Sequence, residues 1–174
     1  MKALILFGFK SCGKTHFGKL LAERLGWAFI DTDDLLINLY QEKNSAYEIH
    51  KSIGEQRFRE LESRAILTLA PKSPSIIALG GGSILNADNV SHLQTIGQFI
   101  YLKAPFSTVQ TRILQNKIPS FVDSNHPIDS LRAIYEKRCP LYESIDAVSI
   151  DVHEKNVLEK LYSIATQQDV HYGF

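Results

Sequence analysis

The sequence predicts an α/β fold, in which a parallel sheet is covered by helices on both faces. Short apolar runs alternate along the chain with longer segments of helical periodicity. The length of 174 residues corresponds to one domain. The composition, with 44% hydrophobic and 22% charged residues, is typical of a folded globular protein. Alternating strands and helices favour a parallel sheet, because each crossover helix has to pack against one of its faces.

Five short apolar segments are predicted as strands, namely residues 3–7, 28–30, 75–79, 99–102 and 148–152. Helices are predicted where apolar residues recur at helical spacing, over residues 14–25, 33–42, 45–53, 55–69, 105–115, 127–138 and 154–166. Gly26 and Pro71 are expected to end two of these helices, and Gly54 separates two others. Ser45 and Glu48 fit the capping box that begins a helix.

Charge and cysteine content exclude several classes of function. Lys and Arg number 19, and so do Asp and Glu, so no net positive field attracts nucleic acid or an anionic membrane. The two cysteines, Cys12 and Cys139, are too few for a disulfide scaffold, and free thiols suit a reducing compartment. No apolar run reaches the roughly 18 residues of a membrane span, and the N-terminal run is too short for a secretory signal. We therefore expect a cytoplasmic protein without nucleic-acid or membrane partners.

Residues 8–15 carry the most specific chemical signal. They read Gly-Phe-Lys-Ser-Cys-Gly-Lys-Thr, match the pattern G-x-x-x-x-G-K-[ST] in full, and stand between a predicted strand and a predicted amphipathic helix. Backbone N–H groups of such a loop surround phosphate oxygens, and the helix N-terminus adds its dipole. Lys14 can reach the β- and γ-phosphates, and the Thr15 hydroxyl can bind Mg²⁺. A glycine-rich turn that binds nothing is the weaker alternative.

Three carboxylates follow the second predicted strand, in the run Asp31-Thr32-Asp33-Asp34. Ligands of open α/β sheets bind at this end of the strands. If the strand persists, Asp31 and Asp33 point the same way, and one can hold Mg²⁺ through water while the other accepts a hydrogen bond from a substrate hydroxyl. Alternatively, these acids begin the next helix, with Asp33 or Asp34 in its first turn. Spacing alone leaves both possibilities open.

A charged helix face at residues 54–62 has two possible interpretations. Glu55 or Glu62 shares one face with Arg59 and can hold its guanidinium as a rigid fork for a small acid. The simpler interpretation is a solvated face with intrahelical ion pairs.

Two further segments are weaker signals. Gly80-Gly81-Gly82 after the third strand allows a ligand close to the backbone, although a tight turn also uses glycine. Arg138 is expected just before a helix ends ahead of Pro140, where a cation complements the helix dipole.

Taken together, these residues resemble the shikimate kinase family. The resemblance covers the chain in order through residues 8–15, Asp31-Thr32-Asp33, Gly54-Glu55, Phe58-Arg59, Glu62, Gly80-Gly81-Gly82, Lys137-Arg138 and Pro140-Leu141-Tyr142. It implies a three-layer α/β/α P-loop kinase fold with a five-stranded parallel sheet, as one domain over residues 1–174 with a mobile lid at about 112–126. It also implies a monomer that transfers the γ-phosphoryl group of ATP to the 3-hydroxyl of shikimate, within aromatic amino-acid biosynthesis.

The resemblance also implies a role for each motif residue. Asp33 would bind the shikimate hydroxyls and act as general base, while Asp31 would hold Mg²⁺ through water and Thr15 would bind it directly. Glu62 would brace Arg59. The expected catalytic residues are Lys14, Asp33, Lys117 and Arg138. The expected shikimate site comprises Asp33, Arg59, Gly80, Gly81, Gly82 and Arg138, with the two arginines on the carboxylate. The expected ATP site comprises Gly8, Ser11, Cys12, Gly13, Lys14, Thr15, His16, Arg112 and Lys117, with Arg112 stacking on adenine.

Three positions depart from the family pattern. His50 stands where the family usually has Phe beside the substrate ring, and Ile53 replaces an acid before Gly-Glu. The lid lacks the arginine that normally precedes its proline, so we expect Lys117 to supply a cation there. Two other functions remain open. A gluconate kinase of the same architecture would need a neutral polyol pocket, and an inactive regulator that binds nucleotide or shikimate would suit the altered lid.

Overall fold

The computed structural model describes residues 3–43, 45–116 and 118–171. Five strands form one sheet there, with β1 at Ala3–Phe7, β2 at Ala28–Asp31, β3 at Ser75–Ala78, β4 at Gly97–Lys103 and β5 at Val148–Asp151. Their order is β2-β3-β1-β4-β5, and all neighbouring strands are parallel. The predicted five-stranded parallel sheet is confirmed. The central strand β1 is buried along its whole length, because β3 and β4 flank it.

Seven helices in the described residues connect the strands and cover the sheet. They are α1 at Lys14–Leu25, α2 at Thr32–Tyr40, α3 at Ala46–Leu67, α4 at Ala87–Ile96, α5 at Phe106–Leu114, α6 at Pro127–Glu143 and α7 at Val157–His171. Six of them overlap the segments predicted from apolar spacing. None of the helices in this part of the chain is long and apolar enough to cross a membrane.

Gly54 divides α3 into two segments, as the sequence predicts. Its dihedral angles, φ 78° and ψ 169°, lie in a region that is open essentially to glycine alone. Both segments nevertheless pack on α2, since Leu36 of α2 forms a small core cluster with Ile49 before the break and Phe58 after it. The break therefore redirects α3 without detaching either half.

The structure differs from the prediction at α4, which has no counterpart among the predicted helices. Only Val90, Leu93 and Ile96 give this polar segment an apolar face, which is a weak periodic signal. Asn86 caps the helix, since its side-chain oxygen accepts a hydrogen bond from the Asp88 N–H at 2.8 Å. A local cap of this kind stabilises the first turn of a helix that periodicity alone does not reveal.

The expected end of α6 before Pro140 is wrong, because the helix continues to Glu143. Proline leaves one carbonyl of the preceding turn without its helical donor, which is why a helix is expected to end there. Here the last turn is held by Tyr142, which is buried and donates its hydroxyl to the Gly81 carbonyl at 2.6 Å. Arg138 consequently lies inside the helix and not at its end.

The carboxyl ends of β1, β2 and β3 form one edge of the sheet. In the register of these strands, Ala78 lies beside Leu6 on one side and beside Asp31 on the other. The loop at residues 8–13, the first turn of α2 and the glycines at residues 80–82 follow these strand ends. Parallel pairing thus brings together three segments that are far apart in the chain.

Candidate active site

The loop at residues 8–13 has glycines at both ends, where its backbone turns sharply. Gly8 and Gly13 have φ values of 143° and 111°, and a Cβ atom on Gly8 would lie 2.5 Å from the Leu102 carbonyl oxygen. At the start of α1, no described side chain provides a cap, and the first turn contains no acidic residue. The N–H groups of that turn are therefore open to an anion.

Lys14 is buried, with its ammonium group folded over the same loop. The ammonium donates hydrogen bonds to the carbonyl oxygens of Gly8 at 3.0 Å and Phe9 at 2.9 Å, and it lies 3.6 Å from the Cys12 sulfur. Arg112 of α5 also contacts this loop, since its Nη1 donates to the Ser11 carbonyl at 3.0 Å. Two cations consequently face a loop whose N–H groups favour phosphate.

Asp31 is the last residue of β2 and the N-cap of α2. Its Oδ1 accepts the Asp33 backbone N–H at 3.0 Å and caps α2, while its Oδ2 accepts the Thr15 hydroxyl at 2.8 Å. Because the strand ends here, Asp33 lies in the first turn of α2 and does not continue the strand. The strand therefore does not persist to Asp33, and the acids begin the next helix, as the alternative predicts. A single carboxylate nevertheless joins β2 to the phosphate loop.

Burial, together with the negative charges of Asp31 and Glu62, raises the pKa of Asp33 to about 6, against the opposing effect of Lys10 and Lys14. A carboxyl group with this pKa is largely ionised at neutral pH and still takes up a proton readily. Asp33 therefore has the properties of a proton acceptor in catalysis.

Arg59, in the second segment of α3, is held by two carboxylates. Its Nε donates to Glu55 Oε1 at 2.7 Å, and its Nη1 donates to Glu62 Oε2 at 2.8 Å. Glu62 is buried, and its other oxygen accepts the Ser83 hydroxyl at 2.9 Å. Both ion pairs are intrahelical, as the simpler interpretation predicts, but Arg59 and Glu62 line the cleft, so this face is not merely solvated. The Nη2 atom of Arg59 makes no hydrogen bond within the described residues, so it can bind a further anion.

The three glycines after β3 leave room for these charged groups. A Cβ atom on Gly82 would lie 2.3 Å from Arg59 Nη1, and one on Gly80 would lie 2.8 Å from a Glu62 oxygen. The Gly80 N–H donates to the Thr32 hydroxyl at 2.8 Å, which fixes the segment against α2. Side chains at Gly80 and Gly82 would displace the ion pair between Glu62 and Arg59. The glycines are therefore needed here for close contact with these charged groups more than for forming a turn.

Arg138 approaches the same cleft from α6. Its guanidinium lies 5.1 Å from the centre of the Phe121 ring and 6.0 Å from that of Phe9, distances that permit cation–π attraction. Phe121 belongs to the predicted lid, and it lines the cleft together with Pro119 and Ser120.

A model of the shikimate kinase family matches residues 10–168. The chain belongs to the shikimate kinase family. The shikimate kinase of Alkaliphilus oremlandii is 37% identical over 166 residues, which cover 94% of this chain and 97% of that protein. The shikimate kinase of Thermodesulfovibrio yellowstonii is 34% identical over 149 residues, which cover 84% and 83%. The structure of the Acinetobacter baumannii shikimate kinase in complex with shikimate superposes with a TM-score of 0.83 at 26% identity, over 98% of this chain and 94% of that one. The fold class and the shikimate kinase function predicted from the sequence are confirmed.

Most of the residues expected from the shikimate kinase pattern line one cleft. They are Ser11, Lys14, Thr15, Asp31, Asp33, Arg59, Glu62, Gly80, Gly81, Gly82 and Arg138. Gly8, Cys12 and Gly13 shape the loop without lining the cleft. His16 also lies outside the cleft; it is exposed, and its ring packs on Phe17 with centroids 5.2 Å apart. Lys117 lies outside the described residues. The first residues of the expected lid at 112–126 belong to α5.

Sequence reasoning missed several residues that line the cleft, among them Lys10, Tyr47, Phe58 as a wall residue, and Phe121. Lys10 occupies a variable position of the loop pattern, where no residue type is required. The aromatic residues reach the cleft only because α3 and the segment before α6 fold over it, so no local pattern identifies them. Phe58 was visible in the sequence as part of the Phe-Arg motif, which could have indicated its place.

Proposed function

We propose that the cleft transfers the γ-phosphoryl group of ATP to the 3-hydroxyl of shikimate. The observation that carries this proposal is the set of groups that line a single cleft. The phosphate loop with Lys14, the Asp33 carboxyl group and the guanidinium groups of Arg59 and Arg138 all face it. A small acid with several hydroxyl groups requires cations for its carboxylate and an acceptor for the reacting hydroxyl.

The phosphate loop binds the ATP phosphates through its backbone N–H groups and the N-terminus of α1. Lys14 leaves the carbonyls of Gly8 and Phe9 to pair with the negative charge of the transferred group. Arg112 supports the nucleotide from its place beside Ser11. Phosphoryl transfer depends mainly on positioning and charge stabilisation, and these groups provide both.

Asp33 binds the reacting hydroxyl and accepts its proton. Arg59 and Arg138 bind the carboxylate, and the glycines at residues 80–82 let the ring approach the backbone. Glu62 orients Arg59 from a buried position where Ser83 fixes it. The substrate is thereby held at both ends, which places its hydroxyl towards the phosphate.

Thr15 and Asp31 fit the requirements of Mg²⁺. Their hydroxyl and carboxylate oxygens, joined by a 2.8 Å hydrogen bond, are hard donors of the type that Mg²⁺ prefers. No group of three or more His, Cys, Asp or Glu in the described residues could hold a metal by itself. A Mg²⁺ ion held by Thr15 and Asp31 would take its remaining ligands from ATP phosphates and water. The ion would neutralise phosphate charge.

We also propose a lid that closes over the cleft, and a monomeric state in the cytoplasm. Residues 119–121 line the cleft, as expected if the lid closes over the substrates, and Lys117 would add a cation to it. The family resemblance implies a monomer, and the free thiols suit the cytoplasm. The balanced charge of the sequence offers no general attraction to nucleic acid or anionic membranes.

A coupled assay of ADP release tests the proposal. Purified protein with Mg-ATP is expected to release ADP rapidly with shikimate and negligibly with gluconate. Removal of Mg²⁺ with a chelator is expected to abolish turnover, and excess Mg²⁺ to restore it. Turnover with gluconate but not shikimate would identify a neutral-polyol kinase, and nucleotide binding without any turnover would identify an inactive regulator.

A further inference from the structure

His50 lies in the cleft at a position where the family resemblance leads us to expect Phe. It belongs to the first segment of α3, and its side chain is only 13% exposed. Its ring packs edge-on against Phe58, with centroids 5.1 Å apart and an interplanar angle of 69°. A phenylalanine ring could make this contact equally well. Its imidazole nitrogens are what distinguish His50 from Phe.

The Nε2 atom of His50 pairs with Glu55 Oε2. In an uninterrupted helix, residues five apart point about 140° away from each other around the axis. The break at Gly54 removes this obstacle, because the backbone leaves helical geometry between the two residues. The glycine and the pair are therefore linked features of the same short segment.

Glu55 connects His50 to the substrate-binding arginine. Its Oε1 accepts the Arg59 Nε–H at 2.7 Å, while its Oε2 faces His50, so each oxygen has one partner. Burial alone would raise the pKa of Glu55, but the hydrogen bonds from His50 and Arg59 outweigh burial and lower it. Glu55 thus remains an ionised acceptor for both neighbours.

The two carboxylates that hold Arg59 differ in how firmly they are fixed. The Glu62 side chain is 5% exposed and anchored by Ser83, whereas the Glu55 side chain is 53% exposed. A pair between an exposed carboxylate and a long side chain is worth little by itself, because both chains must be immobilised. His50 supplies the second contact that fixes Glu55.

We propose that His50 is a positioning residue for shikimate binding, which acts through Glu55 to fix the guanidinium of Arg59. The proposal rests on the proposed function, in which Arg59 binds the shikimate carboxylate. A phenylalanine at this position would provide ring packing without this hydrogen bond.

Two substitutions separate ring packing from hydrogen bonding. His50→Phe keeps the contact with Phe58 and removes the nitrogen, so the KM for shikimate is expected to rise about three- to tenfold. The kcat and the KM for ATP are expected to stay within about twofold, because the phosphate loop is untouched. His50→Gln places an amide near the position of Nε2 and is expected to restore most of the shikimate affinity. Equal kinetics of the wild type and His50→Phe would overturn the proposal.

A double-mutant cycle with Glu55→Ala tests whether His50 acts on shikimate binding through Glu55. Once Glu55 is removed, adding His50→Phe is expected to cause no further rise in the KM for shikimate. Glu60→Ala is the matched control, since Glu60 lies on the same helix and accepts a hydrogen bond from Gln56, and within the described residues the Arg59 side chain pairs with Glu55 and Glu62 and not with Glu60. In that background the full effect of His50→Phe is expected. A full effect in the Glu55→Ala background would show that His50 acts directly on the substrate, and would also overturn the proposal.

Calorimetric binding of shikimate and the thermal midpoint of each variant complete the design. If His50→Phe does not fold, His50→Leu enters the same cycle with the same expectations. A wild type that turns over shikimate, combined with variants that all share its KM, overturns the role of His50 alone. A wild type that neither binds nor turns over shikimate overturns the proposed function and this inference together.

Discussion

Lys14 has a buried ammonium group that is held by the Gly8 and Phe9 carbonyls and faces the loop that receives phosphate. Lys14→Ala is expected to lower kcat by about 10²–10³-fold, since it removes a preorganised positive charge from the transferred group. Steady-state ADP release measures the effect, and circular dichroism establishes that the fold persists. Lys19→Ala, on the same helix but exposed, is the matched control. Near-normal turnover by folded Lys14→Ala would contradict the assignment.

The raised pKa of Asp33 predicts how turnover depends on pH. Because burial and the nearby acids raise its pKa to about 6, Asp33 becomes protonated as the pH falls through that value and can no longer accept a proton. The kcat is therefore expected to be highest above about pH 7 and to fall about tenfold for each pH unit below the pKa. Asp33→Asn should reduce kcat at all pH values and abolish this acid limb. The same acid limb in active Asp33→Asn would assign it to another group.

The lid is the element that departs most from the family pattern, and Lys117 is the cation expected in it. Lys117→Ala is expected to lower kcat by about tenfold, less than the loss of an arginine finger, because lysine is a point charge without a bidentate fork. Shikimate affinity in the absence of nucleotide should be unchanged, as measured by calorimetry. A Lys117→Ala enzyme with normal kcat and normal KM for ATP would show that the lid contributes no charge.

The sequence predicts elements well where the signal is local. The phosphate loop is recognisable because its function requires glycines, a lysine and a threonine at fixed spacing, and the break at Gly54 because that backbone conformation needs glycine. The continuation of α6 through Pro140, in contrast, has no local signal in the sequence. It depends on Tyr142 reaching the Gly81 carbonyl, and α4 similarly depends on packing of a weak apolar face. Such contacts join distant parts of the chain, so no local pattern contains them.

The candidate site shows the same limit of prediction. The carboxylates after β2 could be located from the sequence, but not their division of roles, because it depends on where the strand ends. Asp31 turns out to be the cap of α2, and Asp33 lies in the first helical turn. The aromatic wall formed by Phe58 and Phe121 requires two helices and the lid to be in place. Parallel pairing of the strands, and not sequence proximity, creates this environment.

At the scale of the whole molecule, the crowded and buried charges of the cleft lower the stability of the fold. The cleft at the edge of the sheet contains Asp31, Asp33 and Glu62 within a small volume, and their repulsion opposes folding. Lys14 is buried there without a carboxylate partner among the described residues. Natural active sites commonly keep such unfavourable groups because the chemistry needs them. The cost to the fold should be measurable as a function of pH.

Asp33→Asn is expected to stabilise the folded protein at neutral pH while it impairs catalysis. The pKa of Asp33 is raised from its ordinary value of 3.8 to about 6 on folding, so the folded state binds the proton more tightly than the unfolded state. Stability therefore decreases as the pH rises from about 4 to about 6, and the full penalty, on the order of 3 kcal/mol, is present above that range.

Urea unfolding at pH 7.5 and at pH 4 tests this expectation. Asp33→Asn should raise the free energy of unfolding by about 3 kcal/mol at pH 7.5 and by much less at pH 4, where the wild-type carboxyl group is already protonated in the folded state. Asp34→Asn is the matched control, because exposed Asp34 lies in the same helical turn and loses the same favourable interaction with the helix dipole. A stability gain that is equal in both variants, or equal at both pH values, would show that the charge of Asp33 does not strain the fold.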